Sequence, residues 1–152
     1  MKAITWLASF SVGVAALSAS AFAASLEGWS PDLQKALETA KKEHKSVLVE
    51  FTGSDWCPPC MQMRKNVFSK KEFVSKASEK FVLVELDFPN GDPALKEKNK
   101  PLAEKYKIEG FPTVILMDPE GKEFTRFFAS EYPASEAFLK HLDEALSKKD
   151  LL

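Results

Sequence analysis

The chain predicts an α/β fold with a mixed four-stranded central sheet and helices on both of its faces. Apolar runs rich in β-formers alternate with segments of 3.6-residue periodicity, in the order helix, strand, helix, strand, helix, strand, strand, helix. The early strand runs are apolar at nearly every position, as strands covered on both sides are. A tight turn joins only the last two strands, so that pair should be antiparallel, while the early strands joined through helices should be parallel.

The first helix opens at Ser30-Pro31-Asp32, where Ser30 can cap, Pro31 suits the first turn and Asp32 complements the helix dipole. Leu33, Ala36, Leu37 and Ala40 make its buried face, and the charged stretch Lys41 to Lys45 ends it. The first strand is Ser46 to Phe51. The turn-rich stretch Thr52 to Cys60 follows, and Met61, Met63, Arg64 and Val67 suit a helix start. Ser69-Lys70-Lys71-Glu72 reads as a capping box for a short helix carrying Phe73, Val74 and Ala77. A second strand spans Phe81 to Phe88 and is closed by the turn Pro89-Asn90-Gly91-Asp92. Pro93 to Tyr106 is helical with Leu95, Leu102 and Ala103 inward, and Pro101 should kink or restart it. Gly110-Phe111-Pro112-Thr113 leads into a third strand, Val114 to Met117. The turn Asp118-Pro119-Glu120-Gly121 returns the chain as a fourth strand around Glu123 to Phe128. Its Phe124, Phe127 and Phe128 read as core residues. Pro133 precedes a last helix with Ala137, Phe138, Leu142 and Leu146 on one side.

With 152 residues, 45% hydrophobic and 28% charged, the composition is that of one globular domain rather than a disordered chain. Twelve Phe and three Trp supply enough bulk for a core. The net charge of −1 and the lack of a basic block exclude a nucleic-acid footprint. The lysine-rich stretches 41–45 and 96–100 read as solvated helix faces.

Residues 1–23 read as a cleaved secretory leader and 24–152 as the single domain. Lys2 gives a positive start, an uncharged apolar stretch follows, and Ala21-Phe22-Ala23 is the small-x-small pattern of a cleavage site after Ala23. The alternative, a retained membrane anchor, is disfavoured by a short apolar part interrupted by Ser and Gly. No cysteine follows the cleavage site, which argues against a lipid anchor. The chain is therefore expected outside the cytosol, in the periplasm or an equivalent compartment, where disulfides persist.

The two cysteines exclude a multi-disulfide scaffold and a four-cysteine zinc site. They sit three apart, as Cys57-Pro58-Pro59-Cys60, where a strand runs into a helix. The positive helix end favours a thiolate at Cys57, and Cys60 should lie deeper. Cys57 would attack a partner disulfide and Cys60 would resolve the mixed disulfide. A metal site would need further ligands from His44 or His141, each flanked by charges on helical segments. A purely structural bridge is the other alternative, and so short a loop removes little chain entropy. Pro58 and Pro59 offer no N–H, which leaves the Cys60 amide as the donor to a thiolate. Fewer donors imply a milder thiol acidity and a couple less oxidising than that of a strong oxidase.

Val47 to Phe51 ahead of Trp56-Cys57-Pro58-Pro59-Cys60, followed some fifty residues later by Gly110-Phe111-Pro112-Thr113, resembles the thioredoxin superfamily. The likeness covers nearly all of residues 24–152. The stretch Asp55 to Phe68 is most similar to the C-terminal thioredoxin domains of DsbD-type periplasmic reductases and their soluble DsbH-type relatives. The resemblance implies a thioredoxin fold and a thiol–disulfide oxidoreductase acting mainly as a reductase. It also implies a cis Pro112 packed against the Cys57 sulfur, with Phe111 free to pair with an extended substrate chain. Trp56, Phe111 and Thr113 become the expected substrate contacts. Glu50 falls at or near the buried acid of thioredoxins, where a carboxyl could take the Cys60 proton through water. The loop Thr52 to Asp55 is one residue longer than in thioredoxin, however, and Glu85 stands near the place of a partner lysine, so the alternative for Glu50 is a solvated or ion-paired strand residue. Asp55 is expected at the surface, where it could tune local charge. No bound cofactor is implied, because the electrons reside in the thiol pair. Protein thiols and disulfides are the expected partners of a monomer. A membrane-embedded protein is a candidate electron donor, and no stable membrane insertion follows once the leader is removed. A disulfide oxidase or isomerase and a non-catalytic binding module are the competing readings.

Overall fold

The structure, a computed structural model, describes residues 25–151, so the expected leader and its cleavage site lie outside the described residues. The elements are α1 (Leu33–Glu43), β1 (Ser46–Thr52), α2 (Pro58–Met63), a π-helical turn (Arg64–Phe68), α3 (Lys71–Ser78) and β2 (Phe81–Asp87). They continue with α4 (Pro93–Lys105), β3 (Thr113–Met117), β4 (Glu123–Phe128), a 3-10 turn (Ala129–Glu131) and α5 (Ser135–Lys149).

The sheet order is β2-β1-β3-β4. Strands β1 and β2 are parallel, with Ser46 opposite Phe81 and Thr52 opposite Asp87. Strand β3 is antiparallel to β1 although a helix precedes it, which corrects the expectation that helix-joined strands run parallel. The chain leaves β2 at Asp87, opposite Thr52, and re-enters the sheet at Thr113, opposite Phe51. Both ends of the α4 connection thus lie at one end of the sheet, and a strand entering there must run back. The hairpin β3–β4 is antiparallel.

Side-chain alternation splits the interior into two layers. Leu48, Leu83, Val114 and Leu116 pack with Met63, Val67, Phe68, Phe73, Phe138 and Leu142 on one face. Val47, Val49, Phe51, Val84, Leu86, Ile115 and Met117 pack with α1 and, at its margin, α4 on the other. All residues of β1 and β3 are buried, as their central positions require.

Several local expectations are revised. Asp32, not Ser30, caps α1, its carboxylate accepting from the Lys35 amide at 3.1 Å. Ser30 is held instead as a bridge against Val84: its amide donates to Leu83 and its carbonyl accepts from the Glu85 amide. The capping box at Ser69 does not form. The Ser69 amide still donates to the Arg64 carbonyl, which ties it to the preceding π-turn, and Lys70 precedes α3 without a side-chain bond. Helix α4 runs unbroken through Pro101. In α5 Ala145 is buried beside Phe138 and Leu142, whereas Ala137 is exposed. Phe124 and Phe127 are partly buried against the core, but Phe128, last on the edge strand, is exposed. His44 occupies the left-handed position that ends α1. His141 stacks on Tyr132 with ring centroids 4.1 Å apart, and burial lowers its pKa.

Candidate active site

Strand β1 ends at Thr52 and α2 begins at Pro58. The five residues between them make the turn that presents the sulfurs. The Cys57 amide donates to the Gly53 carbonyl at 3.0 Å, closing the turn. Cys57 is the N-cap of α2, with Pro58 and Pro59 in the first turn, where a missing N–H costs nothing. Cys57 and Cys60 form a disulfide with Cα atoms 5.2 Å apart. The Cys60 amide donates to Cys57 Sγ at 3.4 Å, the donor left after two prolines. Cys57 is 4% exposed and Cys60 1%, so both are buried and Cys57 is the more accessible of the two.

The turn is fastened to the segment after β2. The Trp56 indole N–H donates to the Phe88 carbonyl at 2.8 Å. The Ser54 amide and hydroxyl both donate to the Asp87 carboxylate. The Phe88 amide donates to the Thr52 carbonyl at 2.9 Å. Asp55 accepts from the amides of Asn90 at 2.9 Å and Gly91 at 2.7 Å, and these bonds hold its carboxyl below the usual range. Asp55 therefore anchors a loop. Buried Asn99 of α4 donates to the Asp87 carbonyl from behind. Gly53 lies directly under the Trp56 ring, and a Cβ there would stand 2.5 to 2.8 Å from indole atoms.

The Phe111–Pro112 peptide, in the turn before β3, is cis. Phe111 is half-buried and meets Trp56 edge-on, with ring centroids 5.7 Å apart, and packs on Phe88 at 5.3 Å. Thr113 is buried, its hydroxyl donating to the Gly110 carbonyl at 2.7 Å. That bond braces the turn before β3 and leaves Trp56 and Phe111 as the open rim. Met61 on α2 is also exposed. A groove of about 470 Å³ runs from Phe111 and Phe88 along α4, with Lys96, Lys100 and Ile108 in its wall.

Glu50 sits two residues after Leu48 on β1 and shares its face, the one covered by Met63 and Val67 of the segment that carries Cys60. It is 1% exposed, and its Oε1 has no hydrogen-bond partner. Burial, and then the charge of Glu85, pushes its pKa well above the ordinary carboxyl value. Glu85 is its register partner on β2 and is ion-paired with Arg64 Nη1 at 2.9 Å. The resemblance to thioredoxins pointed to Glu85, but not to Arg64. Four residues after Cys60, Arg64 shares that helical face, and this spacing was the available signal. Asp87 and Asn99 were also missed, since nothing local marks them. Among the described residues no group of three or more His, Cys, Asp or Glu is arranged to hold a metal ion. Nor is any helix there long and apolar enough to cross a membrane.

A disulfide at the head of a helix and a cis-proline turn before β3, in a β-α-β-α-β-β-α core, define a thioredoxin fold. The chain belongs to the thioredoxin-like family, whose domain model matches residues 33–146. It is 40% identical over 95 residues to the Disulfide bond reductase DsbH of Chlamydia pneumoniae, a match covering 60% of this chain and 57% of that protein. It is 32% identical over 113 residues to the Thiol:disulfide interchange protein DsbD of Vibrio cholerae, covering 74% of this chain and 18% of that one. The chain thus spans less than two thirds of either curated relative. Among solved structures, a DsbH oxidoreductase superposes with a TM-score of 0.70 at 31% identity, over 90% of this chain and 95% of that one.

Proposed function

We propose that this chain is an exported thiol–disulfide oxidoreductase that reduces protein disulfides through Cys57-Pro58-Pro59-Cys60. The observation that carries the reading is the Cys57–Cys60 disulfide itself, closed at the N-terminus of α2 and set in a rim of exposed aromatic surface. In the reduced protein the Cys57 thiolate, favoured by the helix end and the Cys60 amide, attacks a client disulfide. One client sulfur leaves as thiolate and a mixed disulfide forms. Cys60 then attacks the Cys57 sulfur, expelling the second client thiolate and restoring the internal disulfide. Trp56 and Phe111 form the platform on which the client strand lies, with Pro112 and the braced Thr113 behind it. A dithiol protein returns two electrons to the pair, and a membrane-embedded donor fits a periplasmic location. No cofactor takes part. The name of the DsbH relative, a disulfide bond reductase, supports the direction, and the first 23 residues serve as the leader.

The test is dithiothreitol-driven insulin reduction by the wild type and Cys57→Ser. The wild type accelerates reduction and the variant does not; equal rates overturn the catalytic reading. Equilibration with glutathione gives a potential between about −270 and −200 mV, and a value above about −150 mV overturns the reductase direction.

A further inference from the structure

Two carboxylates stand side by side beneath the sulfur-bearing helix. Glu50 on β1 and Glu85 on β2 are register partners on parallel strands, so they project from the same face. Both are almost wholly buried. Their surroundings differ. Arg64 reaches across the face and pairs with Glu85 at 2.9 Å, and the Leu26 amide also donates to Glu85. Glu50 has the Thr52 hydroxyl on one side and an Oε1 with no hydrogen-bond partner on the other. The remaining charge facing them is Asp87 of β2, whose carboxylate is occupied by Ser54. From α2, Cys60 is one helical turn before Arg64, on the same helical side, and is buried. Like charges packed this closely in a dry interior do not both ionise. The single guanidinium determines which one does.

We propose that the Arg64–Glu85 ion pair is a positioning pair for the dithiol. It fixes one negative charge beside Glu50 and so biases the proton exchange with Cys60 that the thioredoxin resemblance gives to Glu50. The inference rests on the oxidoreductase reading and extends it to two residues that touch neither sulfur. During resolution, Cys60 thiol passes its proton to the Glu50 carboxylate as its sulfur bonds to Cys57. The Cys57–client S–S bond breaks and the client sulfur leaves with the electron pair. During recharging by a donor dithiol, the donor thiolate bonds to the Cys57 sulfur and the Cys57–Cys60 bond breaks. Cys60 then carries off the electron pair and is protonated by Glu50. Burial lifts both carboxyls, and Arg64 draws Glu85 back. The unpartnered oxygen of Glu50 is the atom free to exchange a proton, directly or through a water.

Carboxyl-carbon NMR titration of the oxidised protein, paired with the pH dependence of insulin reduction, tests the assignment. Glu85→Gln removes the neighbouring charge and is expected to lower the Glu50 midpoint by about one pH unit. Arg64→Gln is expected to raise it by a similar amount, about one unit, while Arg64→Lys leaves it near the wild-type value. The corresponding limb of the rate profile moves in the same direction in each variant. Opposite shifts from two neighbours are not produced by a loss of packing. A Glu50 midpoint unmoved by Glu85→Gln overturns the proposal, whether or not the arginine variants fold. So does a shift of the same sign in Glu85→Gln and Arg64→Gln. If wild-type protein reduces insulin but Glu50→Gln keeps the whole wild-type pH profile, the proton role fails while the oxidoreductase reading stands. If the wild type is itself inactive, that reading fails first.

Discussion

At the scale of single residues, Cys57 and Glu50 meet opposite demands. Cys57 sits where the helix end and the Cys60 amide favour a thiolate. Glu50 is sealed under the same helix with an oxygen left unbonded. An unmet buried carboxyl weakens a fold unless it keeps its proton. In the folded chain burial raises the Glu50 pKa well above the ordinary carboxyl value of 4.5. Between the two values the native state holds a proton that the unfolded chain has released. The Glu50 contribution to stability is therefore full below about pH 4.5 and is lost as pH rises through the window toward the raised value, with a limiting slope of about 1.4 kcal/mol per pH unit. Glu50→Gln has no proton to lose, so its urea midpoint is expected to decline less than that of the wild type between pH 5 and 8. Parallel declines would place the burden on another group. The sequence made Glu50 visible as a charged residue inside an apolar strand, but its lack of a partner depends on what α2 lays over it. Thr113, expected to meet substrate, spends its hydroxyl on Gly110, a bond that only the folded turn reveals.

At the scale of elements, what could be read along the chain was whatever depends on neighbours in sequence. The four strands emerge from apolar runs, and Asp118 to Gly121 from turn chemistry. The helix heads were misjudged where the backbone of the expected cap was already engaged elsewhere. Ser30 is taken by a bridge to β2 and Ser69 by the π-turn, so Asp32 and the uncapped Lys70 stand at those ends. The reversed direction of β3 follows from where the α4 connection returns the chain, which no local pattern records. The turn 52–56 is the element on which the site depends, and it is tied to 87–91 through Trp56, Ser54, Asp55 and Thr52. Gly53→Ala would drive a methyl into the Trp56 ring. It is expected to destabilise the protein by about 1–3 kcal/mol and to raise the KM for a peptide disulfide more than it lowers kcat. An unchanged KM would show that the indole does not support the substrate rim.

At the scale of the whole molecule, the sheet separates two apolar layers, one centred on Phe68 and the other on Phe51, each with its own ring contacts. Phe68 is the hub of the first, lying 5.1 Å from Trp29, 5.6 Å from Phe73 and 5.3 Å from Phe138, in edge-on contacts. It joins the π-turn behind the disulfide to α3, α5 and the N-terminal segment. Phe68→Ala is expected to cost about 3–5 kcal/mol and to lower the thermal midpoint of the entire domain in one transition. A separate early melting of the α2 region would show that the two layers are not coupled through this ring. Strand β2 carries Glu85 and Asp87 and leads into Phe88, so one strand supports both the acid pair and the sulfur-bearing turn. The indole of Trp56, held at Phe88 next to Cys57, has a practical corollary. An S–S bond accepts an electron from a neighbouring excited indole and darkens it, whereas two thiols do so far less. Trp29, the other tryptophan of the described residues, is shut away against Phe68. Opening the bridge should therefore brighten the protein's ultraviolet emission, and the molecule would display its own electron count without a dye.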